Sequence, residues 1–302
     1  MENSKEPAFI NRQKEMAYIK EMLHEKPEHT LFIYGPKSSG KTTMLYKLVD
    51  ELQPAEKPKD KYDIRYYNLR QILIISYTDF LQTFFKTESS DDSKEVKTIK
   101  ELNLKAFKIS LEEKKQINKQ ELDPFEVLKK ELEKLNESGV KPVIIIDELQ
   151  ALEGIYMNGQ RELIKELFNF FVSITKELHL CHVIIGSSDG YFIERIYKDS
   201  KLRKAADFLK VDYLNEEDTK YWLKNIDKES KIKEYKLNES QIEEIWEHFG
   251  GSCFELSRVL GDLLMGAEGG KVPAEWFDKV KARHMIMARS MYVNYVDEER
   301  QK

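Results

Sequence analysis

Two short runs in this 302-residue chain combine residue types and spacings suited to chemistry on phosphates. The first is Gly35-Pro36-Lys37-Ser38-Ser39-Gly40-Lys41-Thr42, a G-x-x-x-x-G-K-T pattern. Leu31-Phe32-Ile33-Tyr34 before it reads as a short buried strand, and Thr43 to Val49 after it reads as a helix. Strand, glycine loop and helix in that order give the pattern the context of a phosphate-binding loop. Gly35 and Gly40 allow a tight turn whose successive N–H groups face an anion, and the start of the helix adds its dipole. Lys41 is placed to reach β- and γ-phosphate oxygens, and the Thr42 hydroxyl to ligate Mg²⁺.

The second run is Val143-Ile144-Ile145-Ile146-Asp147-Glu148. Its continuous β-branched stretch suits a strand buried on both faces of a parallel sheet. The acidic pair then falls at the strand's C-terminal end, where open α/β sheets bind ligands. Asp147 is placed to hold Mg²⁺ through a water, and Glu148 to orient and deprotonate an attacking water. An acidic pair after a strand is also an ordinary helix start, so the weight lies on the two runs together. Jointly they predict a nucleotide hydrolase.

The elements that must position these runs are legible in outline. Ile64 to Leu69, His182 to Gly186 and Phe208 to Val211 read as further strands. Helical spacing is expected at 13–24, 78–85, 124–138 and 160–178, with Asp123-Pro124 a capping start and Gly139 a stop. This alternation predicts a parallel sheet with helices on both faces. Residues 87–120, rich in Lys, Glu, Ser and Asp, read as an inserted surface segment, partly helical. Beyond Asn215 the strand signals stop, and helices are expected at 216–226, 239–249, 253–265 and 274–296. The expected division is therefore an α/β domain over 1–214 and a small all-helical lid over 215–302, with Gly250-Gly251 as a joint inside the lid.

Composition narrows the partners. A hydrophobic content of 41% supports a real core, and a net charge of −5 argues against a surface dominated by nucleic-acid contacts. The two cysteines, Cys181 and Cys253, have no metal-ligand spacing and suit a reducing, cytoplasmic setting. No apolar run approaches the ~20 residues that span a bilayer. The six histidines show no zinc-type spacing.

Phe9-Ile10-Asn11-Arg12-Gln13-Lys14-Glu15 resembles the opening F-x-N/D-R-E-x-E motif of the archaeal ATPase family, in the STAND branch of P-loop ATPases close to AAA+ proteins. Leu31 to Thr42, Asp123-Pro124-Phe125, Ile144 to Gln150 and Ile185 to Ser188 are similar to successive blocks of that family, over about residues 8 to 265. The resemblance implies a P-loop NTPase fold binding ATP and Mg²⁺, with residues 35–42 and Thr43 on the nucleotide. It implies that Ile10 and Arg12 pack beside the adenine; Arg12 also reads as a solvated helix-start charge. It implies that Ser187 or Ser188 is a polar sensor of the γ-phosphate, that Gln150 positions water or reads the phosphate state, and that Arg203, rather than Lys204, stabilises developing charge.

Two departures stand out. Relatives carry a G-G-x-P turn in the lid where this chain has Gly250-Gly251-Ser252-Cys253. Many also continue into a winged-helix or nuclease-like domain, whereas this chain ends near the last lid helix, so a built-in DNA-binding module is not expected. The expected activity is ATP hydrolysis that drives a conformational switch read by a protein partner. The competing expectations are a slow nucleotide-dependent switch that turns over only with its partner, and a nucleic-acid remodelling factor.

Overall fold

The structure is a computed structural model and describes residues 8–53, 62–87, 107–119, 122–157, 159–198 and 204–301. Within it the chain forms two compact units. One comprises Glu15–Gly35 and Met44–Val211, the other Met1–Lys14, Pro36–Thr43 and Asp212–Lys302.

The larger unit is built on five strands: β1 (Thr30–Tyr34), β2 (Tyr62–Asn68), β3 (Lys141–Asp147), β4 (His182–Ser187) and β5 (Ala206–Lys210). They lie in the order β2-β3-β4-β1-β5, every pair parallel. Burial explains the sequence pattern. Val143, Ile145 and Ile146 in β3 and Val183, Ile184 and Ile185 in β4 are fully covered, as strands flanked by helices on both faces require. The helices are α1 (Gln13–His24), α2 (Lys41–Leu52), α3 (Tyr77–Phe84), α4 (Leu111–Asn118), α5 (Pro124–Glu137), α6 (Leu163–Val172) and α7 (Gly190–Lys198).

Local chemistry sets their ends. The Asp123 carboxylate accepts from the Phe125 amide, with Pro124 at the first helical position. Gly139 closes α5 at φ 74°, with Val140 N–H donating to the Leu135 carbonyl. The long helix expected over 160–178 is shorter than its apolar spacing suggests. Tyr156–Met157 and Arg161–Glu162 form a small antiparallel pair, α6 follows, and Ser173–Glu177 widens into a π turn. Of the segment expected as a surface insertion, residues 88–106 lie outside the described residues. The flanking Phe85–Thr87 and Phe107–Ile109 pair with each other, and Phe107 and Ile117 join the main core.

The second unit has a core of its own. It contains α8 (Glu216–Lys224), α9 (Ile226–Glu229), α10 (Glu239–Phe249), α11 (Cys253–Leu264) and α12 (Ala274–Gln301). Trp222, Ile245, Leu256, Leu263 and Val280 are buried among them. Gly250-Gly251, expected as a joint, is a close crossing instead. Leu214 N–H donates to the Gly251 carbonyl at 3.1 Å, and a Cβ on Gly251 would overlap the Leu214 backbone.

A titratable group is buried at the sheet's N-terminal edge. His182, at the start of β4, borders a cavity of about 230 Å³ with His29, Glu25 and Asp207. Burial, with Lys141 adding to it and the Glu25 backbone opposing, pushes its imidazole down to about 4. The unfolded chain therefore binds a proton that the folded chain refuses between pH 6.5 and 4. Stability should be complete above pH 6.5 and fall by about 3 kcal/mol on acidification through that window. Urea denaturation of wild type and His182→Gln at pH 7 and pH 4.5 checks this. The wild type should lose more stability than the variant, and parallel losses would refute it.

Candidate functional site

In the larger unit the C-terminal edge of the sheet gathers the polar residues. Register pairs Asp147 with Asn68 on one side and Gly186 on the other, and Tyr34 with Ser187. Asp147 is fully buried and Glu148 is 4% exposed. Tyr66, on β2, donates its hydroxyl to Asp147 Oδ2 at 3.4 Å, and burial followed by the Asp147 charge pushes its phenol well above the usual range. Tyr46, on α2, stacks obliquely on Tyr66 at 5.1 Å and accepts from Asn68 at 3.0 Å.

Glu148 leaves the strand in the left-handed region, at φ 64° and ψ 47°. That conformation is costly for a residue with a side chain, of order 1–3 kcal/mol, and persists only where its surroundings enforce it. Here its amide donates to the Gly186 carbonyl at 2.8 Å, and a 3₁₀ turn, Leu149–Leu152, begins at once. The carboxylate is held by three side chains. Arg70 pairs with Oε1 at 2.6 Å, Ser188 donates to both oxygens at 3.0–3.1 Å, and Gln150 donates to Oε2. Arg70 also donates to Ser188 Oγ at 3.1 Å, and Ser187 donates to Gln150 Oε1 at 3.0 Å. Glu148, Gln150, Ser187 and Ser188 thus form one network.

Arg70 was not legible beforehand. The signal was present: it stands two residues beyond β2, at the edge where the same positional rule had singled out residues after β3 and β4. Arg203 lies outside the described residues. Lys204 offers its carbonyl to Lys176 at 2.8 Å.

The phosphate loop leaves the larger unit at Gly35 (φ 154°), and its residues 36–43, in the second unit, are bent by two further positive-φ residues, Ser38 (68°) and Gly40 (91°). Ser39 N–H turns back to the Pro36 carbonyl at 3.3 Å. Lys41, 5% exposed, donates its ammonium to the Pro36 carbonyl at 2.8 Å and lies 3.4 Å from Ser39 Oγ. Lys41 also opens α2, whose first amides have no partners within the helix. A concave loop, a cation folded over it and a helix start are together the donor set a polyphosphate requires, so these residues fit the nucleotide that the sequence implies. Thr42 follows in the same turn. Among the described residues no cluster of three or more His, Cys, Asp or Glu side chains could cage a metal.

Ile10 is 6% exposed within the helical core, and Arg12 is buried with its guanidinium on the carbonyls of Ser39 and Asp212. Cys253 Sγ lies 3.8 Å from where a Cβ on Gly40 would stand. Burial raises the Cys253 thiol, opposed by the Arg12 charge.

The family described as an ATPase domain predominantly from Archaea matches residues 9–259. A protein of Methanocaldococcus jannaschii described as an uncharacterized ATP-binding protein is 35% identical over 275 residues, spanning 89% of this chain and 72% of its own. The chain belongs to this archaeal ATPase family. The Aeropyrum pernix ORC2 protein, solved with ADPNP and ADP, shares its fold at TM-score 0.59 and 14% identity, over 94% of this chain and 71% of its own. Domain III of the Thermotoga maritima replication initiation protein DnaA does so at TM-score 0.51 and 17% identity, over 89% and 90%. The fold is therefore that of a P-loop NTPase of AAA+ type: a parallel sheet flanked by helices, followed by a helical lid.

Gly186 is the least replaceable backbone position of the site. A Cβ there would overlap Asp147 Oδ1 and lie 3.3 Å from its Cγ. Gly186→Ala should destabilise the protein by roughly 1–3 kcal/mol, the cost of overpacking. Gly261→Ala, in α11 with nothing within 4 Å of the new methyl, should be neutral or stabilising by about 0.5–1 kcal/mol. Denaturant melts of the two variants check this, and a larger loss for Gly261→Ala would contradict the packing.

Proposed function

We propose that this member of the archaeal ATPase family hydrolyses ATP in the presence of Mg²⁺, and that its nucleotide state is passed to a protein partner through the helical lid. The observation that carries hydrolysis, beyond binding, is Glu148. A nearly fully buried carboxylate is kept in a strained backbone position and surrounded by hydrogen-bond donors, at the strand end that follows the acidic-pair pattern.

Each residue has a separate task. The amides of the loop, with Lys37, Ser38 and Ser39 along it and Thr43 beyond, bind the phosphates, and Lys41 neutralises the charge of the β- and γ-groups. Thr42 would hold Mg²⁺ directly and Asp147 would hold it through water; the ion, when bound, neutralises phosphate charge. Glu148 accepts the proton of the attacking water, so its carboxylate must be free of Arg70 or share its second oxygen at that moment. Ser187 and Gln150, linked to each other, report on the γ-phosphate position through the same network. Arg203 is the choice for stabilising the developing charge.

The three-sided hold on Glu148 favours one form of this reading: slow turnover until something draws Arg70 away. The ion pair occupies one carboxylate oxygen and fixes the direction of the base. The switch type within STAND proteins, and cytoplasmic residence, are part of the same proposal. Among the described residues no helix is long and apolar enough to cross a membrane.

The main test pairs two variants. Lys41→Ala should weaken ATP binding at least ~10-fold, because a charge-assisted contact contributes roughly 1.5–3 kcal/mol. Glu148→Gln should bind ATP like wild type and lose turnover by about 10²–10⁴-fold. Calorimetry for the first and single-turnover phosphate release for the second decide it. Equal affinity, or an undiminished rate, would remove the corresponding assignment.

A second test addresses the restraint. Arg70→Ala should leave ATP affinity unchanged and raise the single-turnover rate at least ~3-fold, equivalent to about 0.7 kcal/mol off the barrier. A rate that falls instead would make Arg70 a helper of the base rather than its restraint.

A further inference from the structure

The opening motif singles out Arg12, and the fold puts it to a use that nucleotide recognition does not require. Arg12 is 7% exposed, and its guanidinium reaches two backbone carbonyls far apart in sequence. Its Nη2 donates to the Ser39 carbonyl at 3.0 Å and to the Asp212 carbonyl at 2.5 Å. The Ser39 peptide lies between the two positive-φ residues of the phosphate loop, Ser38 and Gly40, and directly before Lys41. Asp212 opens the segment that leads into the helical unit, three residues before the α8 cap Asn215. One guanidinium therefore ties the most distorted peptide of the loop to the root of the lid.

The segment that carries Arg12 is itself anchored in the lid. Ile10 is buried in the lid core with Trp222 and Leu223. Asn11, at φ 44°, donates its amide to Asp218 Oδ2 at 2.5 Å, in the first turn of α8. Residues 10–12 thus present three successive attachments: an apolar one into the lid core, a polar one to α8, and a charged one to the loop. Cys253, at the start of α11, packs toward Gly40 from the same unit.

We infer that Arg12 is a positioning residue for the phosphate loop, holding the Ser39 peptide so that its neighbours stay aimed at phosphate and transmitting any shift of that peptide to Asp212 and α8. The inference rests on reading residues 35–42 as a phosphate loop. It differs from the base-contact role implied by family resemblance in which part of the nucleotide feels the residue. A base contact acts on adenine only. A brace on the Ser39 peptide acts on any polyphosphate. The planar fork suits two acceptors at once; a lysine ammonium on a flexible stem gives up part of that geometry.

The experiment compares wild type, Arg12→Lys and Arg12→Ala with three probes: ATP, GTP and inorganic tripolyphosphate. Far-UV circular dichroism first establishes that each variant is folded. Arg12→Ala should weaken all three probes by the same factor, about 10-fold, and Arg12→Lys should recover part of that loss. Loss of ATP affinity with unchanged tripolyphosphate affinity would overturn the inference in favour of a base contact. Hydrogen exchange without nucleotide gives a second readout. Arg12→Ala should speed exchange together at residues 39–41 and 214–219, whereas unchanged exchange at either stretch would overturn the coupling. If wild type binds neither ATP nor tripolyphosphate, the phosphate-loop reading falls, while the exchange data still decide whether Arg12 joins the two segments.

Discussion

Two consecutive carboxylates, Asp147 and Glu148, are buried at the end of β3, between β2 and β4, and much of the larger unit answers to that fact. Burying an ionised group costs several kcal/mol unless partners replace its water. The sheet order supplies partners from both sides. On the β2 side stand Tyr66 and Arg70; on the β4 side stands Ser188, while the Gly186 carbonyl accepts from the Glu148 amide. A different strand order would leave the pair without them. The glycine in β4 follows from the same requirement, because any side chain at 186 would take the volume that the Asp147 carboxylate occupies. The local sequence and the topology are therefore two parts of one solution.

The two carboxylates are held differently, and the difference suits the separate roles proposed for them. Asp147 ends a regular strand, is fully buried and accepts from the Tyr66 hydroxyl, conditions that would keep a metal-holding oxygen in place. Glu148 is turned out of the strand by its left-handed backbone, so its side chain departs from the sheet's alternation and faces Ser188 and Arg70. A base for an attacking water must be both oriented and able to change partners. Hydrogen bonds from Ser188 and Gln150 orient it. The ion pair to an arginine that is half exposed, with water competing for its charge, is the most readily exchanged of the three.

β3 and β4 were legible because burial on both faces leaves a β-branched run, and the five expected runs map to five strands within two or three residues. The phosphate loop and the acidic pair were legible because glycine positions, a lysine and carboxylates at strand ends have few other reasons to occur in that order. What escaped notice depends on side chains that meet only through the sheet. Arg70 is 78 residues from Glu148 in sequence, and nothing local marks it apart from its place beyond a strand. The helix over 160–178 was overextended because apolar spacing continues through Ser173–Glu177, where the backbone widens without losing its buried face. Gly250-Gly251 read as a joint because glycine permits motion; it equally permits close approach, and the backbone of Leu214 fills that space.

A boundary drawn by secondary-structure type alone runs near residue 214, since the α/β alternation ends there. The internal packing draws another line, grouping residues 36–43 and 1–14 with 212–302. The phosphate loop follows β1, a strand of the larger unit, and its one non-glycine bend is Ser38. The Arg12 guanidinium holds the Ser39 carbonyl beside that bend, and Cys253 stands near Gly40. A loop braced in this way cannot change conformation independently of the brace. If a bound phosphate favours one loop shape, linkage makes the relation reciprocal: that preference would be felt by the helical unit, and anything that favoured one state of that unit would alter phosphate affinity by the same factor.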